Sequence, residues 1–178
     1  MAHRGFSLIE VIVALALLLA VVLGLAQVFQ YSARANRQAH QLTLASVLAR
    51  QKLEQLRGLA WTFDASGARI SDMQTNTAAM PELASGGSGL QASPPGALDT
   101  NTSGYCDFLD VHGRIVGGGS SVPGDAAWVR RWAIQPLADD PLDTLVLQVR
   151  LLSKESAIRG FVDPAGLTLA TARARTAS

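Results

Sequence analysis

The hydrophobic pattern of the chain is dominated by one long apolar run near its N-terminus. Every residue from position 11 to position 26 is apolar or glycine, and this run follows Gly5-Phe6-Ser7-Leu8-Ile9-Glu10. An α-helix over residues 6–26 would be about 31 Å long, which matches the hydrocarbon core of a bilayer. The pattern therefore predicts a membrane-spanning helix over residues 6–26.

The positions that follow predict that this helix continues beyond the membrane. Residues 27–60 contain no proline and one glycine, Gly58, and they are rich in Ala, Leu, Gln and Arg. Seven apolar side chains recur at steps of three and four and share one face: Leu42, Ala45, Leu48, Ala49, Leu53, Leu56 and Ala60. We expect one helix over residues 6–59, with residues 27–60 as its soluble amphipathic half. A coiled-coil seam is the alternative, which Lys52 and the small alanines weaken.

The rest of the chain changes to the periodicity of strands. Residues 61–104 are rich in Gly, Ser and Pro and predict a long irregular connection. Residues 105–111 and 114–116 predict a hairpin through His112-Gly113. Residues 128–135 and 144–152 predict a second antiparallel pair.

The predicted sheet, within residues 105–178, and the helix each have an apolar face that must be covered. Four alternating side chains form one apolar face of the last clear strand: Leu145, Leu147, Val149 and Leu151. Packing this sheet on the second half of the helix would cover both surfaces. The predicted fold class is α+β, a long N-terminal helix, transmembrane in its first half, packed on a small antiparallel β-sheet. Residues 167–169 add an edge strand, and the tail with Arg173 and Arg175 is expected to fray.

Composition and charge narrow the function classes. With 178 residues and a mass of 18.7 kDa, the chain has room for one small soluble domain besides its membrane segment. The formal net charge of +1 gives no electrostatic case for a nucleic-acid partner. The single cysteine, Cys106, excludes an internal disulfide and is expected to be a buried small hydrophobe.

The sequence offers no pattern typical of an enzyme. The three histidines, His3, His40 and His112, lie far apart and have no ligand cluster at metal-binding spacing. The acidic turn Asp139-Asp140-X-X-Asp143 contains oxygens that suit calcium, but it lacks the dense alternating ligands of a dedicated loop, so a solvated turn is favoured. We expect no catalytic residue, no cofactor and no metal site.

One acidic residue, Glu10, lies inside the predicted membrane segment. An ionised carboxylate costs about 3 kcal/mol at mid-bilayer and less near the edge, where Glu10 is expected. Before the helix, Met1-Ala2-His3-Arg4 forms a very short cationic flank that ends at Gly5. An ordinary secretory signal has a similar start, but its apolar region is usually shorter and has no carboxylate.

The segment Arg4-Gly5-Phe6-Ser7-Leu8-Ile9-Glu10-Val11 resembles the leader and processing motif of the type IV pilin superfamily. This resemblance implies that a prepilin peptidase removes residues 1–5 by cleaving between Gly5 and Phe6, and that the new amine of Phe6 is N-methylated. The carboxylate of Glu10 would then pair with the amine of a neighbouring subunit. Assembly residues implied by the resemblance are Glu10 and, for helix packing, Leu8, Ile9, Val11 and Leu15.

The resemblance also implies partners and a location. The partners are other pilin or pseudopilin subunits, the prepilin peptidase, the inner-membrane assembly platform and membrane lipid. The chain would cross the inner membrane once, with its C-terminal domain in the periplasm, and would enter a pilus or pseudopilus after assembly. Arginine counts on the two flanks do not decide this orientation, so it follows from the motif alone.

Three departures from major pilins favour an accessory subunit. The chain has no cysteine pair for a C-terminal disulfide, no proline near the outer membrane edge of the helix, and a long glycine-rich connection. We therefore expect a minor pilin or a type II secretion pseudopilin that starts, tips or modulates a filament. The alternative is a signal-anchored periplasmic domain that binds a ligand or partner outside a filament.

Overall fold

The structure is a computed structural model that describes residues 7–78, 87–160 and 166–177. Its elements in chain order are α1 (Leu8–Gly58), β1 (Trp61–Phe63), β2 (Arg69–Ser71), β3 (Cys106–Leu109), β4 (Ile115–Gly118), β5 (Trp128–Leu137), β6 (Asp140–Ser153), α2 (Lys154–Arg159), β7 (Leu167–Ala174) and β8 (Thr176–Ala177). The chain divides into two compact units, the anchor unit of residues 1–41 and the head unit of residues 42–178. The predicted α+β fold, a long helix followed by antiparallel strands, is confirmed.

Helix α1 is one continuous element, as the sequence predicts. In the anchor unit all its described residues are exposed. In the head unit one face is buried, and this face consists of Ala45, Leu48, Ala49, Lys52, Leu53 and Leu56. The predicted face is wrong at two positions. Leu42 is 38% exposed, and Ala60 lies beyond the end of the helix and is exposed. Lys52, which in the sequence argued against a coiled-coil seam, is buried on the same face of the helix.

The main sheet has five antiparallel strands in the order β4-β3-β5-β6-β7. Both predicted hairpins are confirmed, β3 with β4 and β5 with β6. The β5–β6 turn is tighter than the sequence suggests, since only Ala138 and Asp139 separate the strands. The predicted edge strand is also present and is longer than expected, as β7.

The core of the head unit lies between α1 and one face of this sheet. The alternation on β6 buries Leu145, Leu147, Val149 and Leu151 toward the same cluster as Leu48, Leu53 and Leu56 of the helix. On the opposite face Cys106, Phe108, Ala126 and Val129 form a second, smaller cluster, and buried Arg131 of that face donates to residues 98–101. The sheet therefore receives the apolar face of residues 45–56, as the sequence predicts.

A second sheet, in the order β2-β1-β8, joins two segments that sequence patterns do not identify as strands. Strands β1 and β2 lie within residues 61–104, predicted as an irregular connection, and β8 lies in the tail that was expected to fray. The expectation of fraying is wrong, because the guanidinium of Arg175 stacks 3.6 Å from the ring centroid of Trp61 and donates to the carbonyls of Thr62 and Ile70. Arg173 donates to carbonyls at the end of α1.

Candidate functional site

The first turn of α1 is built around Ser7 and Glu10. The carbonyl of Ser7 accepts the backbone N–H of Glu10 at 3.0 Å and that of Val11 at 3.3 Å. Ser-X-X-Glu at a helix start is the capping-box pattern, and an acidic side chain in the first turn is favoured by the helix dipole. The same sequence that carries Glu10 therefore also starts the helix at Leu8.

The predicted packing residues lie on the exposed surface of this helix. Leu8, Val11 and Leu15 follow at steps of three and four and share a face, whereas Ile9 is rotated by about 100° from Leu8. Their exposed fractions range from 45% for Val11 to 80% for Leu8. Gly5 and Phe6 lie outside the described residues, so their cleavage and methylation stay predictions. The side chains that the structure does place are apolar groups with no partner in their own unit.

Glu10 is the single acidic or basic residue between positions 8 and 33. Among the described residues, α1 is the one helix that is long and apolar enough to cross a membrane. A carboxylate on such a helix is stable in a dry environment only when a cation or several donors meet it. The arrangement therefore presents an apolar surface that contains a single carboxylate.

Within the head unit, a buried ionic cluster joins the main sheet to the buried face of α1. The cluster consists of Lys52, Asp107 and Arg130, and sequence reasoning missed it. The carboxylate of Asp107 receives two hydrogen bonds of 2.8 Å from Arg130, and the ammonium of Lys52 lies 2.9 Å from its Oδ2. All three side chains are at most 3% exposed. Two cations share one anion, so the cluster carries a net charge of +1 when Lys52 is protonated.

Lys52 uses all three of its N–H donors in this buried site. Besides Asp107, it donates to Oε1 of Gln55 at 2.8 Å and to the carbonyl of Thr77. Its Nζ also lies 4.2 Å from the ring centroid of Trp132. Burial lowers the pKa of Lys52 from its usual 10.5 to about 8, although the carboxylate of Asp107 acts in the opposite direction.

The cluster joins α1, β3 and β5, because the pairing of β3 with β5 places its two strand residues opposite each other. Asp107 on β3 and Arg130 on β5 are direct cross-strand partners on the face toward α1. Nη1 of Arg130 donates at 2.8 Å to the carbonyl of Leu48, inside the helix. The available signal was a lysine within an apolar helix face and an arginine between Trp128 and Trp132 on an apolar strand. Such charges in buried stripes require a partner.

The other candidate groups have structural partners. Cys106 is fully buried, its thiol donates to the carbonyl of Gly119 at 2.9 Å, and burial raises its pKa. The carboxylate of Asp143 pairs with Arg69 and Arg175, which hold its pKa below the usual value. In residues 7–78, 87–160 and 166–177 no group of three or more His, Cys, Asp or Glu side chains is placed to hold a metal ion.

Comparison with known proteins identifies one family model, the prokaryotic N-terminal methylation motif, which matches residues 1–26. The match covers the segment with Gly5, Phe6 and Glu10 and the beginning of α1. No curated protein and no solved structure matches the chain. The match thus concerns the anchor unit, and the head unit is described by its own structure.

Proposed function

We propose that the chain, which its N-terminal methylation motif and long N-terminal apolar helix mark as type IV pilin-like, is a minor pilin or a pseudopilin. In this role it starts, tips or modulates a type IV pilus or a type II secretion pseudopilus. The family is structural and not enzymatic, and we propose no catalytic activity, cofactor or metal for this member.

The observation that carries this proposal is the contrast in burial along α1. Residues 7–43 are exposed throughout, although most of residues 8–29 are apolar, whereas the face formed by residues 45–56 is covered by the chain's own sheet. A membrane covers the first stretch before assembly, and the helices of neighbouring subunits cover it afterwards. The chain is accordingly membrane-anchored through α1.

Assembly is proposed to proceed through the first turn of the helix. Cleavage between Gly5 and Phe6 leaves an amine at Phe6, which is then N-methylated and remains cationic. Glu10 of one subunit pairs with this cation of the next, so that a single ion pair sets the register of helix packing. Leu8, Ile9, Val11 and Leu15 supply the apolar contacts around the pair.

The proposed location follows from the same pathway. The leader lies on the cytoplasmic side of the inner membrane, where the prepilin peptidase acts, and the head unit lies in the periplasm. The assembly platform then moves the subunit from lipid into the filament. The single cysteine and the absence of proline from α1 support an accessory subunit over a major one.

The first test is the N-terminal mass of the protein extracted from membranes, in hosts with and without prepilin peptidase. We expect a chain that begins at methylated Phe6 in the first host and an uncleaved chain in the second. A chain that begins at Met1 in both hosts, or at Gln27 after ordinary signal cleavage, would contradict the filament pathway and favour a signal-anchored periplasmic domain.

The second test removes the charge of Glu10 and keeps the size and shape of its side chain. We expect Glu10→Gln to be cleaved normally but to fall at least about ten-fold in the sheared filament fraction, since the inter-subunit pair contributes about 1.4 kcal/mol or more. The matched control is Glu54→Gln, which alters an exposed glutamate on the same helix. Normal recovery of Glu10→Gln in filaments would sink the proposed role of the carboxylate.

A further inference from the structure

We propose that Arg34 and Arg37, together with Tyr31 and two glutamines of the preceding turns, bind the phosphate groups of anionic phospholipids at the outer surface of the membrane. We call this set the headgroup site and define it as Gln27, Gln30, Tyr31, Arg34 and Arg37. The proposal rests on the proposed function in one respect, namely that α1 spans the membrane.

The position of the site along α1 sets its depth. The stretch from Leu8 to Phe29 is about 32 Å long in an α-helix, so Phe29 lies near the outer limit of the hydrocarbon core. Tyr31 follows at the interface, where aromatic rings with a polar tip are enriched. The Cα atom of Arg34 lies about 8 Å beyond Phe29, within reach of the headgroups.

The direction of helical side chains brings these groups together. In an α-helix side chains project toward the N-terminus, so those of Arg34 and Arg37 extend back toward the membrane. Gln27, Gln30, Tyr31 and Arg34 line one shallow groove on the helix. The groove is thus lined by guanidinium, phenol and amide groups, all of which can donate hydrogen bonds to phosphate oxygens, and Arg37 follows about one turn later.

The charge balance of the helix makes the occupant anionic. Residues 11–53 contain no aspartate or glutamate, so neither arginine has a carboxylate within helical reach. Within the described parts of the chain, none of the ion pairs includes Arg34 or Arg37. Both side chains are exposed. Two unpaired cations at headgroup depth match the negative surface of a membrane that contains anionic lipid.

The test measures which lipids stay bound to the full-length chain. The protein is reconstituted in nanodiscs of phosphatidylcholine with a minor share of phosphatidylglycerol, released into mild detergent, and examined by native mass spectrometry. We expect retained phosphatidylglycerol to exceed its share in the disc. Arg34→Gln should lower this preference about five-fold, and the double variant with Arg37→Gln should lower it further.

Arg50→Gln is the matched control, because Arg50 is an exposed arginine that follows Phe29 by 21 residues in the sequence of the same helix. It should retain the wild-type preference. Equal preference in the wild type and the double variant would overturn the headgroup site while leaving the anchor intact. Loss of the lipid to millimolar inorganic phosphate at matched ionic strength would overturn the lipid assignment in favour of a soluble anion. Failure of the wild-type chain to remain in the nanodisc would instead overturn the membrane anchor itself.

Discussion

Helix α1 contains two apolar stretches whose surroundings differ. From Leu8 to Gln41 every described side chain is exposed, including large ones such as Leu17 and Phe29. From Leu42 to Gly58 one face of the helix is buried against the sheet through six side chains, whereas Val47 on the opposite side is exposed. Residues 8–29 are apolar on nearly every side, with Glu10 and Gln27 as exceptions, and residues 42–58 are amphipathic, although both stretches belong to the same helix.

The difference shows how one helix can serve two kinds of packing. An all-round apolar surface suits lipid and neighbouring helices, because both can approach from any side. A one-sided surface suits a permanent partner within the same chain, and here an ionic cluster adds specific donors and acceptors to the apolar contact. Substitutions in the two stretches should therefore have different consequences, which the following predictions separate.

The largest effect is expected from a charge in the core of the head unit. Leu147 is fully buried between α1 and the sheet, so Leu147→Glu places an unpaired carboxylate there and should cost about 5 kcal/mol or more. Near-UV circular dichroism of the full chain in detergent should lose its tryptophan signal, while far-UV spectra retain the helicity of the anchor unit. Leu15→Glu, an exposed site in the anchor unit, should leave the near-UV signal intact and reduce membrane insertion. A native near-UV spectrum for Leu147→Glu would refute the contrast.

A smaller but still large loss is expected when Asp107 is neutralised. Asp107→Asn leaves Lys52 and Arg130 buried beside each other without an anion, and should lower the free energy of unfolding by about 3–5 kcal/mol. Urea denaturation of the full chain in detergent, followed by tryptophan fluorescence, measures this change. The control is Asp99→Asn, which removes an exposed pair with Arg150 and should have little effect. An equal decrease in the free energy of unfolding for the two variants would show that the buried cluster stabilises the fold no more than an exposed ion pair does.

The pH dependence of the head unit should report Lys52. Well below pH 8 Lys52 is protonated in the folded and unfolded chain alike. Between about pH 8 and pH 10.5 the unfolded chain holds a proton that the folded chain has released, so this group makes the folded state more stable as pH rises. The full change is about 3 kcal/mol.

Lys52→Met removes the contribution of Lys52. Other titrating groups contribute to both proteins, so their effect cancels when the two free energies of unfolding are subtracted. The free energy of unfolding of the wild type minus that of Lys52→Met should rise from pH 8 to pH 10. A difference that stays constant over this interval would argue against a lowered pKa of Lys52 in the folded chain.

The smallest effect is expected at the end of α1. Nη1 of Arg173 donates to the carbonyl of Leu56 at 3.1 Å, and Nη2 donates to that of Leu59 at 2.6 Å. Arg173→Gln should lower the free energy of unfolding by about 1 kcal/mol, since it removes both bonds and a cation from the negative end of the helix dipole. Arg150→Gln, an arginine on the neighbouring strand β6, should cost less in the same denaturation experiment.

Much of the fold was predictable because its signals are local. The membrane segment, the continuation of the helix, and strands β3 to β7 follow from periodicity of three to four or of two. The motif around Gly5, Phe6 and Glu10 is likewise contiguous in sequence. For these features the residues that decide the structure lie beside one another in the chain.

The features that the sequence did not reveal depend on distant partners. The sequence pattern uses Lys52 only as an argument against a coiled coil, because its partner Asp107 lies 55 positions later in the chain. Strand β1 has three residues, too few for a periodicity, and it is fixed by β2 and β8. Arg175 reads as part of a charged tail, but the ring of Trp61 and the carbonyls of the second sheet hold it in place.

The bonds between Arg173 and the end of α1 also bear on the order in which the protein is made. They join residues separated by 117 positions, and strand β7 is the outer strand of the main sheet. A ribosome that adds about 5–20 residues per second needs about 6–23 s to pass from Leu56 to Arg173. During this interval the apolar face of residues 45–56 has been synthesised without the complete sheet that covers it. The strands that cover this face, β5 and β6, are made before β7, so the bonds of Arg173 to the helix end are among the last contacts of the head unit that the growing chain can form.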